Sequence, residues 1–324
     1  MDSLALFTKM INEYPIGGNV MRCRLKLDGR ITTANFCKGD LSIIATRYVS
    51  SNSTAYLELF KPTLEEEESG ILEYSQIFSK QVGEPVSKVI TFSQSSSPSE
   101  GFFFASTNGG LSYCTFDESS FREVSHCENA HEGTIVALDY CSKDKLLFSG
   151  GYDGALKVWD VRCFGKKSEP LRFVPISSDR CCCIAHDGTS DLHKVFVGTQ
   201  NGYVCLYDTR VNRDDAIEKF SFDDSISNML AVASSTLIVS TFSQVYKVNF
   251  LLARNTLLYE DSNTCIVGIS ANPFECSEFL IANRTRRLIV VNFKNGLVKN
   301  NVVCKGESYW SKSLEVGLFP PDSV

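Results

Sequence analysis

Thr134 to Tyr140 alternates apolar and polar positions, the period-2 pattern of a strand with one buried face. Leu146-Leu147-Phe148 opens a second apolar run, and Leu156-Lys157-Val158-Trp159 forms a third. Between the second and third stands Gly150-Gly151-Tyr152-Asp153-Gly154, a tight turn where glycine supplies the positive φ that a short hairpin needs. Ala130-His131 closes the loop ahead of the first strand, and Asp160-Val161-Arg162 leads out of the third.

The same unit recurs along the chain in weaker form. Residues 31–60 have strand-turn-strand character with a turn rich in serine and asparagine. Residues 86–116 carry Asn108-Gly109 and residues 181–210 carry Asn201-Gly202, both strong hairpin signals. Residues 226–250 and 264–293 repeat the pattern again. The strands ending at Phe60, Phe116, Trp159, Tyr207, Phe250 and Phe293 recur about every 45 residues, a spacing typical of propeller blades. Six such units are visible. Met21 to Leu27, MRCRLKL, alternates apolar residues with Arg22, Arg24 and Lys26, as does a strand solvated on one face. It is expected to complete a last, seventh blade with Val302, Val303, Cys304, Tyr309 and Trp310; a six-bladed ring with trailing ends is the alternative.

Residues 130–162 resemble a blade of the WD-repeat family through His131, Ser149, Asp153 and Trp159. The resemblance implies an all-β, WD40-type β-propeller over residues 1–324 as a single domain, with residues 1–30 an N-terminal segment carrying the ring-closing strand. It also implies that these four residues join in one hydrogen-bonded chain. A buried imidazole and carboxylate are tolerated only when their polar atoms are paired, so a structural tetrad is expected. A general acid/base role for His131 and Asp153 is the alternative.

Composition narrows the function classes. Hydrophobic residues make up 43% of the 324 positions, enough for a sizeable core, and no apolar run reaches the length of a membrane span. Leu4, Leu6, Phe7 and Met10 suggest one short amphipathic turn, and the N-terminal residues show no basic-then-apolar secretory signal. The net charge of −6 disfavours general phosphate-backbone binding, and no direct nucleic-acid contact is expected. The thirteen cysteines are scattered, without a Cys-x-x-Cys pair, and Cys181-Cys182-Cys183 cannot aim three thiolates at one point from a strand. No metal and no cofactor is expected, and a reducing compartment fits. Glu65 to Glu68 places an acidic inter-blade loop at 61–85, and SQSSSPSE at 93–100 reads as a flexible insertion open to phosphorylation. Phosphate-loop, dinucleotide, nucleophile-elbow and zinc-protease motifs are absent.

Within the WD class, two subfamilies resemble different stretches. Trp159, Asp160, Arg162, Glu169, Pro170, Asp179, Arg180, Cys182, Gly202, Asp208 and Arg210 are similar in layout to the WD-repeat nucleoporin of the outer-ring Y complex. Ala130-His131-Glu132, Ser149-Gly150-Gly151 and Trp159-Asp160 with Arg162 resemble the diphthine methyl-ester hydrolases, which act on elongation factor 2. Arg162 and Arg210, each two residues beyond an aspartate, resemble substrate receptors of cullin-4 ubiquitin ligases. The expectation is a non-catalytic scaffold or adaptor with protein partners, in the cytoplasm or nucleus and including the nuclear envelope. Tyr152, Arg162, Arg210 and Arg284 are its expected partner-binding residues.

Overall fold

A computed structural model describes residues 22–24 and, from 30 to 303, all but the segments 38–41, 51–52, 63–70, 94–99, 117–119, 166–168, 177–178, 188–192, 212–213, 234, 272–276 and 286. The described elements are all strands. β1 is Arg22–Arg24; β2 to β5 are Arg30–Phe36, Ile43–Val49, Thr54–Pro62 and Ile71–Val82; β6 to β9 are Val86–Ser93, Glu100–Ser106, Leu111–Phe116 and Phe121–Cys127. β10 to β13 are Ile135–Cys141, Leu146–Gly151, Ala155–Asp160 and Arg172–Pro175; β14 to β17 are Cys181–His186, Lys194–Thr199, Tyr203–Asp208 and Glu218–Ser221. β18 to β21 are Asn228–Ala233, Thr236–Ser240, Gln244–Asn249 and Arg254–Glu260; β22 to β25 are Ile266–Ala271, Glu278–Asn283, Arg287–Asn292 and Val298–Val303.

Strands β2 to β25 form six four-stranded antiparallel sheets of consecutive strands, the blades of a β-propeller, and β1 adds to the first sheet in parallel. The first strand of each blade packs against the first strand of the next, from β2 through β6, β10, β14 and β18 to β22. Side chains on both faces of a blade are therefore buried between neighbours. Val158, Val174 and Ile176 of the third blade pack with Cys181, Val195 and Val197 of the fourth, and comparable clusters join the other adjacent pairs.

Hairpin turns lie where glycine allows them. Gly150 and Gly151 belong to β11, so the tight turn narrows to residues 152–154, with Gly154 at φ +72°. Gly202 takes φ +80° in the matching turn of the fourth blade. Gly150 serves another purpose, since a Cβ there would stand 2.2 Å from Cys181 Sγ in the next blade.

A bulge in β14 between Cys181 and Cys183 sets the cysteine run. Strict alternation would put Cys181 and Cys183 on one face; with the extra residue, Cys181 joins the cluster toward blade three and Cys183 the cluster toward blade five. The thiols diverge, and burial pushes the Cys181 thiol well up.

Three expectations from the sequence are corrected. Arg22–Arg24 pairs in parallel with Ile71, Leu72 and Glu73 at the outer edge of the first blade and does not extend the sixth. The outer strand β5 offers unpaired backbone groups there, which a short strand can satisfy. Val302 and Val303 lie in β25 of the sixth blade, while Cys304, Tyr309 and Trp310 fall outside the described residues, as do residues 4–10. Much of the span 61–85 is strand: Ile71–Val82 pairs with β4, so the acidic run at 65–68, itself outside the described residues, connects two strands of blade one. Its polar outer strand carries little buried surface and so lacks a clear apolar alternation.

Gly150→Ala is expected to cost about 1–3 kcal/mol by overpacking against Cys181. Adding Cys181→Ala should return part of that loss, which denaturant unfolding of the two single variants and the double variant will show.

Candidate functional site

The third blade brings His131, Ser149, Asp153 and Trp159 into one chain of hydrogen bonds. His131 sits at the end of the loop before β10, its N–H bonded to the Gly109 carbonyl in blade two at 3.1 Å. Its Nδ1 lies 2.9 Å from Asp153 Oδ1, and its Nε2 lies 2.8 Å from Ser149 Oγ. Trp159 Nε1 donates to the same Ser149 Oγ at 2.8 Å. Donors and acceptors are matched along the chain: the indole N–H donates to the serine oxygen, Nδ1–H to the carboxylate, and Ser149 Oγ and His131 Nε2 share the hydrogen bond between them. Asp153 also accepts the backbone N–H groups of Glu132 and Ala155 at 3.1 and 3.2 Å. Burial pushes its carboxyl up, but the His131 hydrogen bond and charge and these two N–H groups outweigh burial and hold it below the usual range.

Blades two and four lack the serine at the centre of this network. Ser149 pairs across the sheet with Lys157; the corresponding partners of Ser112 and Cys205 in blades two and four are Phe104 and Val197, both buried. An apolar side chain there leaves no half-paired polar atom, which is the costly outcome.

A second set of polar contacts ties blade three to blade four. His186 Nδ1 on β14 lies 2.7 Å from Asp139 Oδ2 on β10, and the His186 backbone N–H donates to the same oxygen at 2.7 Å. His193 Nδ1 lies 3.2 Å from Asp144 Oδ2, and Arg172 Nη1 donates to the Asp208 carbonyl at 2.7 Å. Burial pulls the His186 imidazole down, but hydrogen bonds to Asp139 and Cys141 and their charges prevail and raise it to about 10. Sequence reading missed these pairs. Its available signal was a polar Asp139 inside an apolar strand, with no hint of a partner 47 residues away.

The expected contact residues divide between two ends of the propeller. Tyr152 and Arg284 lie in turns between second and third strands, whereas Arg162 and Arg210 follow third strands at the opposite end. Arg162 closes a bidentate pair on Asp160, with Nε to Oδ1 and Nη2 to Oδ2 both 2.8 Å. Arg210 repeats it on Asp208 at 3.1 and 2.8 Å, and its hydrogen bond holds the Asp208 carboxyl below its usual range against burial. Both guanidinium groups are exposed yet fixed in direction. Arg180, which the contact set omitted, lies 5.2 Å over the Tyr152 ring.

The two ends differ in chemistry. The Tyr152 end presents Glu84, Glu128, Glu132, Asp223 and Asp224 to solvent, against Arg180 and Arg284. The Arg162 end exposes aliphatic side chains at successive corners of blades three to six: Leu171, Val211, Ile217, Leu251, Leu252 and Leu297. Among the described residues, no three His, Cys, Asp or Glu side chains are grouped to hold a metal ion, and no helix is long and apolar enough to cross a membrane.

Ser149→Ala strands both Trp159 Nε1 and His131 Nε2 in the core and is expected to cost about 3 kcal/mol in urea unfolding. Asp153 has a depressed folded pKa, so its contribution is present above the ordinary carboxylate range and lost as pH falls through the folded value. The stability gap between the native chain and Asp153→Asn should therefore narrow in acid. His186 has a raised folded pKa, so the opposite sign holds: its contribution is complete below its ordinary value and lost as pH rises through about 10. The gap to Asp139→Asn should close on the alkaline side in the same unfolding series.

The family described as WD domain, G-beta repeat matches residues 122–160, the stretch that holds the tetrad. A curated Arabidopsis thaliana protein, U3 snoRNP-associated protein-like EMB2271, is 32% identical over 81 residues, covering 23% of this chain and 17% of the relative. The crystal structure of Chaetomium thermophilum Raptor superposes with a TM-score of 0.70 at 9% identity, over 89% of this chain and 26% of that one. The chain thus spans a minor part of either protein's length, and the structural likeness speaks for the fold alone. The chain carries one segment that matches a WD repeat, residues 122–160, within a six-bladed β-propeller fold.

Proposed function

We propose that the chain is a non-catalytic scaffold or adaptor subunit of a multiprotein assembly, with the outer ring of the nuclear pore as its specific setting. The observation that carries the scaffold reading is the saturation of its most enzyme-like pair. His131 spends both ring nitrogens inside the tetrad, its side chain is 0% exposed, and Asp153 is occupied by His131 and two backbone donors. What remains outward is an array of turns held on rigid blades. Pre-positioned loops lose little entropy when a partner docks, so affinity follows from preorganisation. Protein partners and a cytoplasmic or nuclear location belong to this reading. The nuclear-pore setting rests on the resemblance that runs from Trp159 to Arg210, whose two Asp–Arg pairs adopt the same geometry in adjacent blades. That repetition also favours a second reading, a cullin-4 substrate receptor.

Affinity purification from the native source should retain large subunits in fixed ratio, nucleoporins among them. Recovery of a cullin-4 adaptor would support the second reading. A chain that elutes alone, or captures elongation factor 2 and removes its diphthine methyl ester, would overturn the scaffold. Arg162→Ala with Arg210→Ala should lower partner capture at least about fivefold while shifting folding stability by less than about 1 kcal/mol, as exposed ion pairs contribute little.

A further inference from the structure

The seam between blades three and four holds a row of titratable side chains with no part in partner docking. Cys141 ends β10 two residues on from Asp139, which places both on the same face of the strand. Across the seam on β14, His186 Nδ1 lies 2.7 Å from Asp139 Oδ2, and the imidazole also forms a hydrogen bond with Cys141. The ring stacks on Phe148 with centroids 5.9 Å apart, so its direction is set from a third side. Beyond the thiol, Cys141 Sγ donates to Asp144 Oδ2 at 3.5 Å, and that oxygen is shared with His193 Nδ1 at 3.2 Å. The groups run in a line, Asp139, His186, Cys141, Asp144 and His193, and no three of them are grouped to hold a metal ion.

Carboxylate, imidazole and thiol in that order is an arrangement that activates a nucleophile. Asp139 orients the ring and balances its charge. Burial pulls the imidazole down, but the hydrogen bonds to Asp139 and Cys141 keep it protonated up to about 10. A cation beside the sulfur stabilises the negative charge that sulfur carries as it attacks. Asp144 pulls the other way. It is 30% exposed against 19% for His186, so water and His193 weaken its field more. Cys141 is 8% exposed beneath these partly solvated side chains, within reach of a small reagent. Other cysteines stand in the opposite setting: burial pushes the Cys114 thiol up to about 12 and raises Cys127 and Cys182 as well.

We propose that Cys141 is a reactive cysteine, activated by His186 and Asp139, and a site of oxidation by hydroperoxides. With hydrogen peroxide, the sulfur attacks one peroxide oxygen, an S–O bond forms and the O–O bond breaks. Sulfur gives up two electrons, and the thiol proton passes through His186 to the departing oxygen, which leaves as water. The product is a sulfenic acid at Cys141.

The folded native chain, treated briefly with hydrogen peroxide in the presence of dimedone and mapped by peptide mass spectrometry, tests this. Cys141 should be labelled at least about fivefold faster than Cys127 and Cys182, although both are less buried. His186→Gln should slow labelling of Cys141 about tenfold and leave Cys127 unchanged, and Asp139→Asn should act in the same direction. If His186 only packs, its removal opens the seam and labelling of Cys141 speeds up. Faster or unchanged labelling in the His186→Gln chain therefore overturns the proposal. So does a native Cys141 that reacts no faster than Cys127 and Cys182, a comparison that needs no variant to fold.

Discussion

A sheet that is apolar on both faces cannot stand with one face open, and this constraint organises the molecule. Each blade buries large side chains on both sides, such as Phe102 and Phe103 on β7, which point into different inter-blade clusters. Burying one such ring contributes about 1.5–3 kcal/mol, so the neighbour relation is worth far more than any single polar contact. Radial stacking satisfies the constraint repeatedly with short connections.

The tetrad enters this apolar stack as a complete set. The tetrad in blade three leaves neither imidazole nitrogen unpaired, and the equivalent serine position carries phenylalanine in blade two and valine in blade four. The Asp139–His186 contact works differently, because it crosses from one blade to the next and locks the two inner strands in register. Blades three and four are thus tied by side-chain hydrogen bonds as well as by packing. They also carry the paired Arg162 and Arg210 corners.

Rigid placement is what makes a propeller useful as a platform. Bidentate pairing with Asp160 and Asp208 restrains two long side chains that would otherwise lose freedom on binding. The acidic end and the aliphatic end are separate surfaces of unlike chemistry.

Local signals in the sequence determined the repeat, the strand type and the turns. Asn201-Gly202 and Gly154 mark hairpins because few residues tolerate positive φ, and the ends of the third strands follow from their apolar spacing. The tetrad residues were legible because their spacing lies within one blade. The outer strands were not: β13 and β17 are four residues each and largely solvent-facing, so burial imposes little pattern on them. The partner of Asp139, the divergence of Cys181 from Cys183 across a bulge, and the attachment of Arg22–Arg24 to β5 were decided by tertiary structure alone. Periodicity reports which side of a strand is buried; which blade lies against that side depends on how the whole ring closes.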